Sequence, residues 1–131
     1  MRVHDVDDVP ARLFVVDDDV AVRESLRVLL EAYGMSVEVF PSAEAFLAAY
    51  EAHDRGCLLL DQHLQNAKTG LDFLTSEIKT KIDLPVILMT GRGDSELRAR
   101  ALQAGAAGYL EKPVDEDLLL ATIEASIAKH R

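Results

Sequence analysis

Cys57-Leu58-Leu59-Leu60-Asp61 is an uninterrupted apolar run that ends abruptly in a carboxylate. A run this short, with no polar alternation, reads as a strand buried on both faces, the kind found in parallel sheets. In an open parallel α/β sheet, ligands sit in the crevice beyond the carboxyl ends of the strands. Asp61 stands at that edge. Alone it is ordinary turn chemistry, because Asp commonly closes strands. Three other strand ends give it weight. Leu13-Phe14-Val15-Val16 runs into Asp17 and Asp18, Val86-Ile87-Leu88-Met89 into Thr90, and Gly108-Tyr109-Leu110 into Glu111 and Lys112.

Helical spacing fills the intervals. After Asp17-Asp18-Asp19, the residues Val22, Leu26, Leu29 and Leu30 recur with a helical period as far as Tyr33, and Gly34 is a natural stop. Ser36 to Phe40 alternates polar and apolar, as an edge strand does. Ser42 is the expected N-cap of a second helix running to about His53. Residues Gln62 to Thr69 read as a polar loop. Thr69 and Asp72 form a capping-box pattern, so a third helix is expected from near Gly70 to a point before Leu84-Pro85. Asp94 or Ser95 caps a fourth helix that stops at Gly105. A fifth follows Pro113 and carries Leu119, Leu120, Ile123 and Ile127 along one side. Strands alternating with helices across short connections predict an α/β fold, a five-stranded parallel sheet flanked by five helices. Residues 1–11, with Asp5, Asp7 and Asp8, are expected to form a flexible acidic tail ahead of one domain spanning 12–131.

Composition narrows the function. A net charge of −9 argues against direct nucleic-acid binding, which needs clustered Lys and Arg. The single cysteine, Cys57, lies inside the apolar run and reads as a packing residue in a reducing compartment. The N-terminus lacks the apolar core of a signal peptide, and no apolar run approaches membrane-spanning length. A cytoplasmic chain with no membrane partner is expected.

The acidic residues have a bland explanation, a helix N-cap with carboxylates that suit the helix dipole, and Asp19 fits it. If the first and third strands are neighbours, as in the order 2-1-3-4-5, then Asp17, Asp18 and Asp61 converge beyond the sheet. Three carboxylates together repel unless something neutralises them. A hard divalent cation does so, and Mg²⁺ typically combines one or two carboxylates with waters and a phosphate. A hydroxyl at Thr90 and an ammonium at Lys112, on the same edge, suit the oxygens of a transferred phosphoryl group. Taken singly, Thr90 is a turn residue and Lys112 a surface lysine. Four separate strand ends with phosphate-compatible residues are hard to assign to accident.

With Leu13 to Asp18, Leu60-Asp61, Met89-Thr90-Gly91 and Glu111-Lys112-Pro113 in view, the chain resembles a two-component response-regulator receiver domain, over essentially everything from Leu13 onward. The wording around Thr90-Gly91-Arg92-Gly93-Asp94 and Glu111-Lys112-Pro113 is most similar to receivers of the nitrogen-fixation regulator subtype. The resemblance implies that Asp61 accepts a phosphoryl group from a sensor histidine kinase. It implies that Asp17, Asp18, Asp61 and the backbone carbonyl of His63 hold Mg²⁺ (or Mn²⁺), and that Thr90 and Lys112 bind the phosphoryl oxygens. It further implies a cis Lys112-Pro113 peptide and Tyr109 as the aromatic that turns inward when Thr90 moves; a half-buried strand tyrosine is the plain alternative. The output face would be helix four, strand five and helix five, docking a downstream protein or phosphotransfer partner, or a second copy as a homodimer. An acyl phosphate adds about −1.5 to −2 charges. A switch from 1:99 to 99:1 needs roughly 5.5 kcal/mol, within reach of a few charge-assisted hydrogen bonds.

Two features depart from the family pattern. Gln65 stands where proline is usual, and Gly70 comes one residue late. His63 and Arg92 occupy the positions that flank the path of an attacking water, and are expected to tune dephosphorylation. Two rival functions follow. One is a degenerate receiver serving as a phosphorylation-independent scaffold. The other is a phosphatase of the haloacid-dehalogenase class, for which Asp17 and Asp19 fit, but Ala21 replaces the required Thr or Val. No DNA-binding segment follows the fifth helix, so the chain reads as either a stand-alone regulator or a receiver cut from a longer protein, and the single-domain form is the expectation. The resemblance implies a phospho-accepting signalling domain rather than an enzyme.

Overall fold

The computed structural model describes residues 11–51, 55–64 and 68–130. Five strands form one parallel sheet, β1 (Arg12–Val16), β2 (Ser36–Phe40), β3 (Gly56–Asp61), β4 (Val86–Thr90) and β5 (Gly108–Glu111), in the order β2-β1-β3-β4-β5. Helix α1 is Val20–Ala32 and α2 is Ala43–Ala49. The third helix, α3, begins as Gly70–Phe73, passes through a π-helical turn at Leu74–Ile78 and ends at Lys79–Lys81. Helix α4 is Ser95–Gln103 and α5 is Glu116–Lys129. The acidic leader expected over residues 1–11 lies, apart from buried Ala11, outside the described residues.

Every residue of β3 is buried, because successive side chains enter two different cores. Leu58 and Leu60 join Phe14, Val16, Phe46, Phe73 and Leu88 on one face. Cys57 and Leu59 join Leu13, Val15, Leu30, Met89 and Ile123 on the other. Burial pushes the Cys57 thiol pKa up, consistent with an inert packing role. Among the described residues, no helix is long and apolar enough to cross a membrane.

Local chemistry sets the helix ends. Asp19, Ser42, Thr69, Asp94 and Asp115 each accept a backbone N–H at a helix N-cap, and Thr69 with Asp72 completes the capping box. Helix α2 ends at Ala49, earlier than the expected limit near His53, itself outside the described residues. Tyr50 turns extended there; its ring packs on Phe46 and its hydroxyl accepts from the Asp83 amide at 3.1 Å. The π turn in α3 was not legible from spacing. Its neighbourhood holds Thr75 and Ser76, whose hydroxyls bond to carbonyls one turn back and compete with the regular ladder.

Candidate functional site

The strand register carries the site residues to one rim. Val16 pairs with Leu60, so Asp17 and Asp61 leave β1 and β3 side by side. Asp61 pairs with Met89, which puts Thr90 one step further along β4, and Thr90 pairs with Glu111, directly before Lys112. Asp17, Asp61 and Thr90 are all buried at this edge. Asp17, Asp18 and Asp61 each offer a carboxylate oxygen, and these atoms all lie within 4.8 Å of one another. Lys112 closes the group. Its Nζ donates to Asp17 Oδ2 at 2.8 Å and to Asp61 Oδ1 at 3.0 Å. The Lys112–Pro113 peptide bond is cis.

Backbone and side-chain bonds hold the acidic turn. Asp17 Oδ1 accepts the Asp19 amide, and Arg23 Nη1 donates to the Asp17 carbonyl at 2.7 Å. Across the sheet, Thr90 Oγ1 accepts the Arg92 amide at 3.0 Å and lies 3.1 Å from His63 Nε2. Tyr109 is half-buried, and its hydroxyl is buried with no well-formed hydrogen bond among the described residues, although the Asp94 backbone N–H lies beside it. Gly93 abuts that hydroxyl and the Glu111 carboxylate, so a Cβ there would require these two side-chain tips to shift.

Burial raises the Asp61 pKa above the ordinary carboxylate value; the Lys112 ammonium opposes this, and the nearby Asp17 carboxylate adds to it. For Lys112, burial favours loss of the proton, but the bonds to Asp17 and Asp61 prevail and its pKa is raised. A carboxyl whose folded-state pKa is raised costs stability when ionised, and the cost fades as pH falls through that pKa. Metal-free Asp61→Asn is therefore expected to melt above the native protein at neutral pH, with the difference shrinking on acidification. A constant difference across the acidic range would contradict this.

The loop after Asp61 closes in an unforeseen way. Gln65 lies outside the described residues, but both flanks of the loop are tied through Gln62. Its amide N–H donates to the Met89 carbonyl, its carbonyl accepts the Gly70 amide, and its side-chain Oε1 accepts the Leu71 amide at 2.8 Å. Gly70 packs against the Asp61 carbonyl and Leu88, where a Cβ would not fit. The late glycine thus still abuts the end of β3. Nothing in the spacing marked Gln62. Arg23 was more legible, standing one helical turn after Asp19.

Three oxygen-donating carboxylates this close fit a hard divalent cation such as Mg²⁺. An ammonium and a hydroxyl on the same rim suit phosphoryl oxygens. The sequence pattern of the response regulator receiver domain matches residues 13–124. The chain belongs to the response regulator receiver domain family. Among curated relatives, the transcriptional regulatory protein FixJ of Azorhizobium caulinodans is 43% identical over 115 residues, covering 88% of this chain and 54% of that protein. The response regulator protein TodT of Pseudomonas putida is 36% identical, with 88% and 50% covered. The crystal structure of FixJ-N superposes with a TM-score of 0.81 at 33% identity, over 92% of this chain and 96% of that one. The response regulator StyR gives a TM-score of 0.82 at 36% identity, over 92% and 60%. The chain spans about half the length of the curated relatives it matches. Receivers of this family are the phosphoryl-accepting signalling domains of two-component systems, and bind Mg²⁺ at an acidic pocket.

Proposed function

We propose that Asp61 accepts a phosphoryl group from the phosphohistidine of a sensor kinase. The phosphorus–nitrogen bond to the kinase imidazole breaks as a phosphorus–oxygen bond to the Asp61 carboxylate forms. The observation that carries this assignment is the Lys112 ammonium bridging Asp17 and Asp61. It holds a positive charge beside the attacking carboxylate, where negative charge builds up on the transferring group. Asp17, Asp18, Asp61 and the His63 carbonyl would hold Mg²⁺ or Mn²⁺. The bound cation would offset charge on the carboxylates and phosphoryl oxygens. Lys112 then keeps one acyl-phosphate oxygen, and the Thr90 hydroxyl donates to another. Attack of water on phosphorus later releases inorganic phosphate and regenerates the carboxylate.

Movement of Thr90 toward the phosphoryl group vacates space beside β4, and Tyr109 follows it inward. The Tyr109 hydroxyl, buried and making no well-formed hydrogen bond, supports a side chain that gains by moving. The surface formed by α4, β5 and α5 changes shape accordingly and controls binding of a downstream protein or a second copy. Sedimentation that is unchanged by beryllofluoride would speak against a phosphorylation-driven dimer. We assign residues 12–131 to the receiver, working in the cytoplasm. The intact acidic cluster with its lysine favours this function over a passive scaffold. Asp19, which a dehalogenase-type phosphatase would need as its acid, is occupied as a helix cap.

His63 and Arg92 set the lifetime of the acyl phosphate by flanking the path of water. Alanine at either position is expected to change the dephosphorylation rate several-fold while phosphotransfer persists; unchanged rates in both variants would remove that role. Incubation with phosphorylated histidine kinases tests the function as a whole. Label should pass to the native protein and not to Asp61→Asn; equal labelling of both would overturn the assignment.

A further inference from the structure

Thr90 is fully buried, yet its hydroxyl is engaged on two sides. The Arg92 amide donates to Oγ1 at 3.0 Å, a bond within the local turn. His63 Nε2, 3.1 Å from the same oxygen, belongs to a different loop, 27 residues away in sequence. A threonine hydroxyl has one proton and two lone pairs. With one lone pair taken by Arg92, the proton is available to the imidazole nitrogen. The His63 residue is itself exposed, so this bond fixes a side chain that packing does not enclose.

We propose that His63 is a positioning residue that latches Thr90 in its unphosphorylated arrangement. The inference rests on the phosphoryl-accepting function proposed above. A phosphoryl group on Asp61 then wins the Thr90 hydroxyl only by displacing the imidazole, so phosphorylation exchanges one hydrogen bond for another. The latch holds the resting equilibrium toward the inactive form, and releasing it makes the active form easier to reach. Shielding the acyl phosphate from water would act on hydrolysis alone. The latch acts on an equilibrium, and so it shows with a phosphoryl mimic that is not hydrolysed.

The test is a titration of the whole chain with beryllofluoride in saturating Mg²⁺, followed by NMR of the Thr90, Gly91 and Arg92 amides. His63→Ala is expected to bind about 2- to 10-fold tighter than the native protein, the range for one net hydrogen bond. His63→Gln, whose side-chain amide reaches a similar point, should return toward native affinity. In a Thr90→Val background, adding His63→Ala should change nothing, because the latch partner is already gone. Unchanged or weaker binding by His63→Ala would overturn the latch, as would an equal gain in both backgrounds. A native protein that fails to bind beryllofluoride would instead overturn the phosphoryl-accepting function itself.

Discussion

Alanine at position 112 is expected to lower stability by about 3 kcal/mol in metal-free buffer, the lower end of the range for breaking a buried ion pair. Lys112 bridges two carboxylates that are almost wholly buried, while its own side chain is 25% exposed. Removing it leaves Asp17 and Asp61 facing each other without a counter-charge. Partial access to water keeps the loss from the upper end of the range. For a domain of this length the melting temperature should fall by roughly 10 °C. Saturating Mg²⁺ should restore much of that loss, because the unopposed carboxylates now have stronger need of a cation, and Mg²⁺ affinity should rise on the order of tenfold. Thermal melts with and without Mg²⁺ check both. A loss below about 1 kcal/mol, or no recovery with Mg²⁺, would show that Lys112 is not the charge that balances the cluster.

Gly56→Ala is expected to be more damaging still, at about 3–5 kcal/mol, combining backbone strain with overpacking. Gly56 has φ +136°, a conformation that side-chain-bearing residues rarely adopt. It also pairs with Arg12 at the start of the β1–β3 ladder, and a Cβ there would run into the Arg12 backbone. No rotamer change relieves a clash with main chain. The strand that carries Asp61 must separate from β1 or twist at its origin. Chemical denaturation of Gly56→Ala against the native protein measures the cost, and a change under about 1 kcal/mol would mean that β1 and β3 yield easily. Gly105→Ala is a useful contrast, since its φ is also positive but open space surrounds it. It should carry the strain without the clash.

Burial pattern made the architecture legible. Two-sided apolar runs can be satisfied only in a covered parallel sheet, so β1, β3 and β4 declared themselves, and alternation in β2 placed it at an edge. Capping side chains marked helix starts well, because an N-cap is one residue with one job. Helix ends were harder. Tyr50 terminates α2 through an aromatic contact and a hydrogen bond to the distant Asp83 amide, neither visible locally. The convergence of Asp17, Asp18, Asp61, Thr90 and Lys112 was inferable because strand ends in such a sheet share one rim. What spacing cannot convey is which side chains meet across loops. Gln62 bracing Gly70 and Leu71, and His63 against Thr90, depend on how the loops fold back over the rim.

The most direct measurement is site mapping of the phosphoryl group after incubating the native protein with Mg²⁺ and a small acyl-phosphate donor, trapped by reduction with borohydride. One modified residue is expected, Asp61, with the modification absent when Mg²⁺ is chelated and absent from Asp61→Asn. Modification on Asp17, or none under conditions where beryllofluoride also fails to bind, would contradict the role given to the carboxylate at the end of β3.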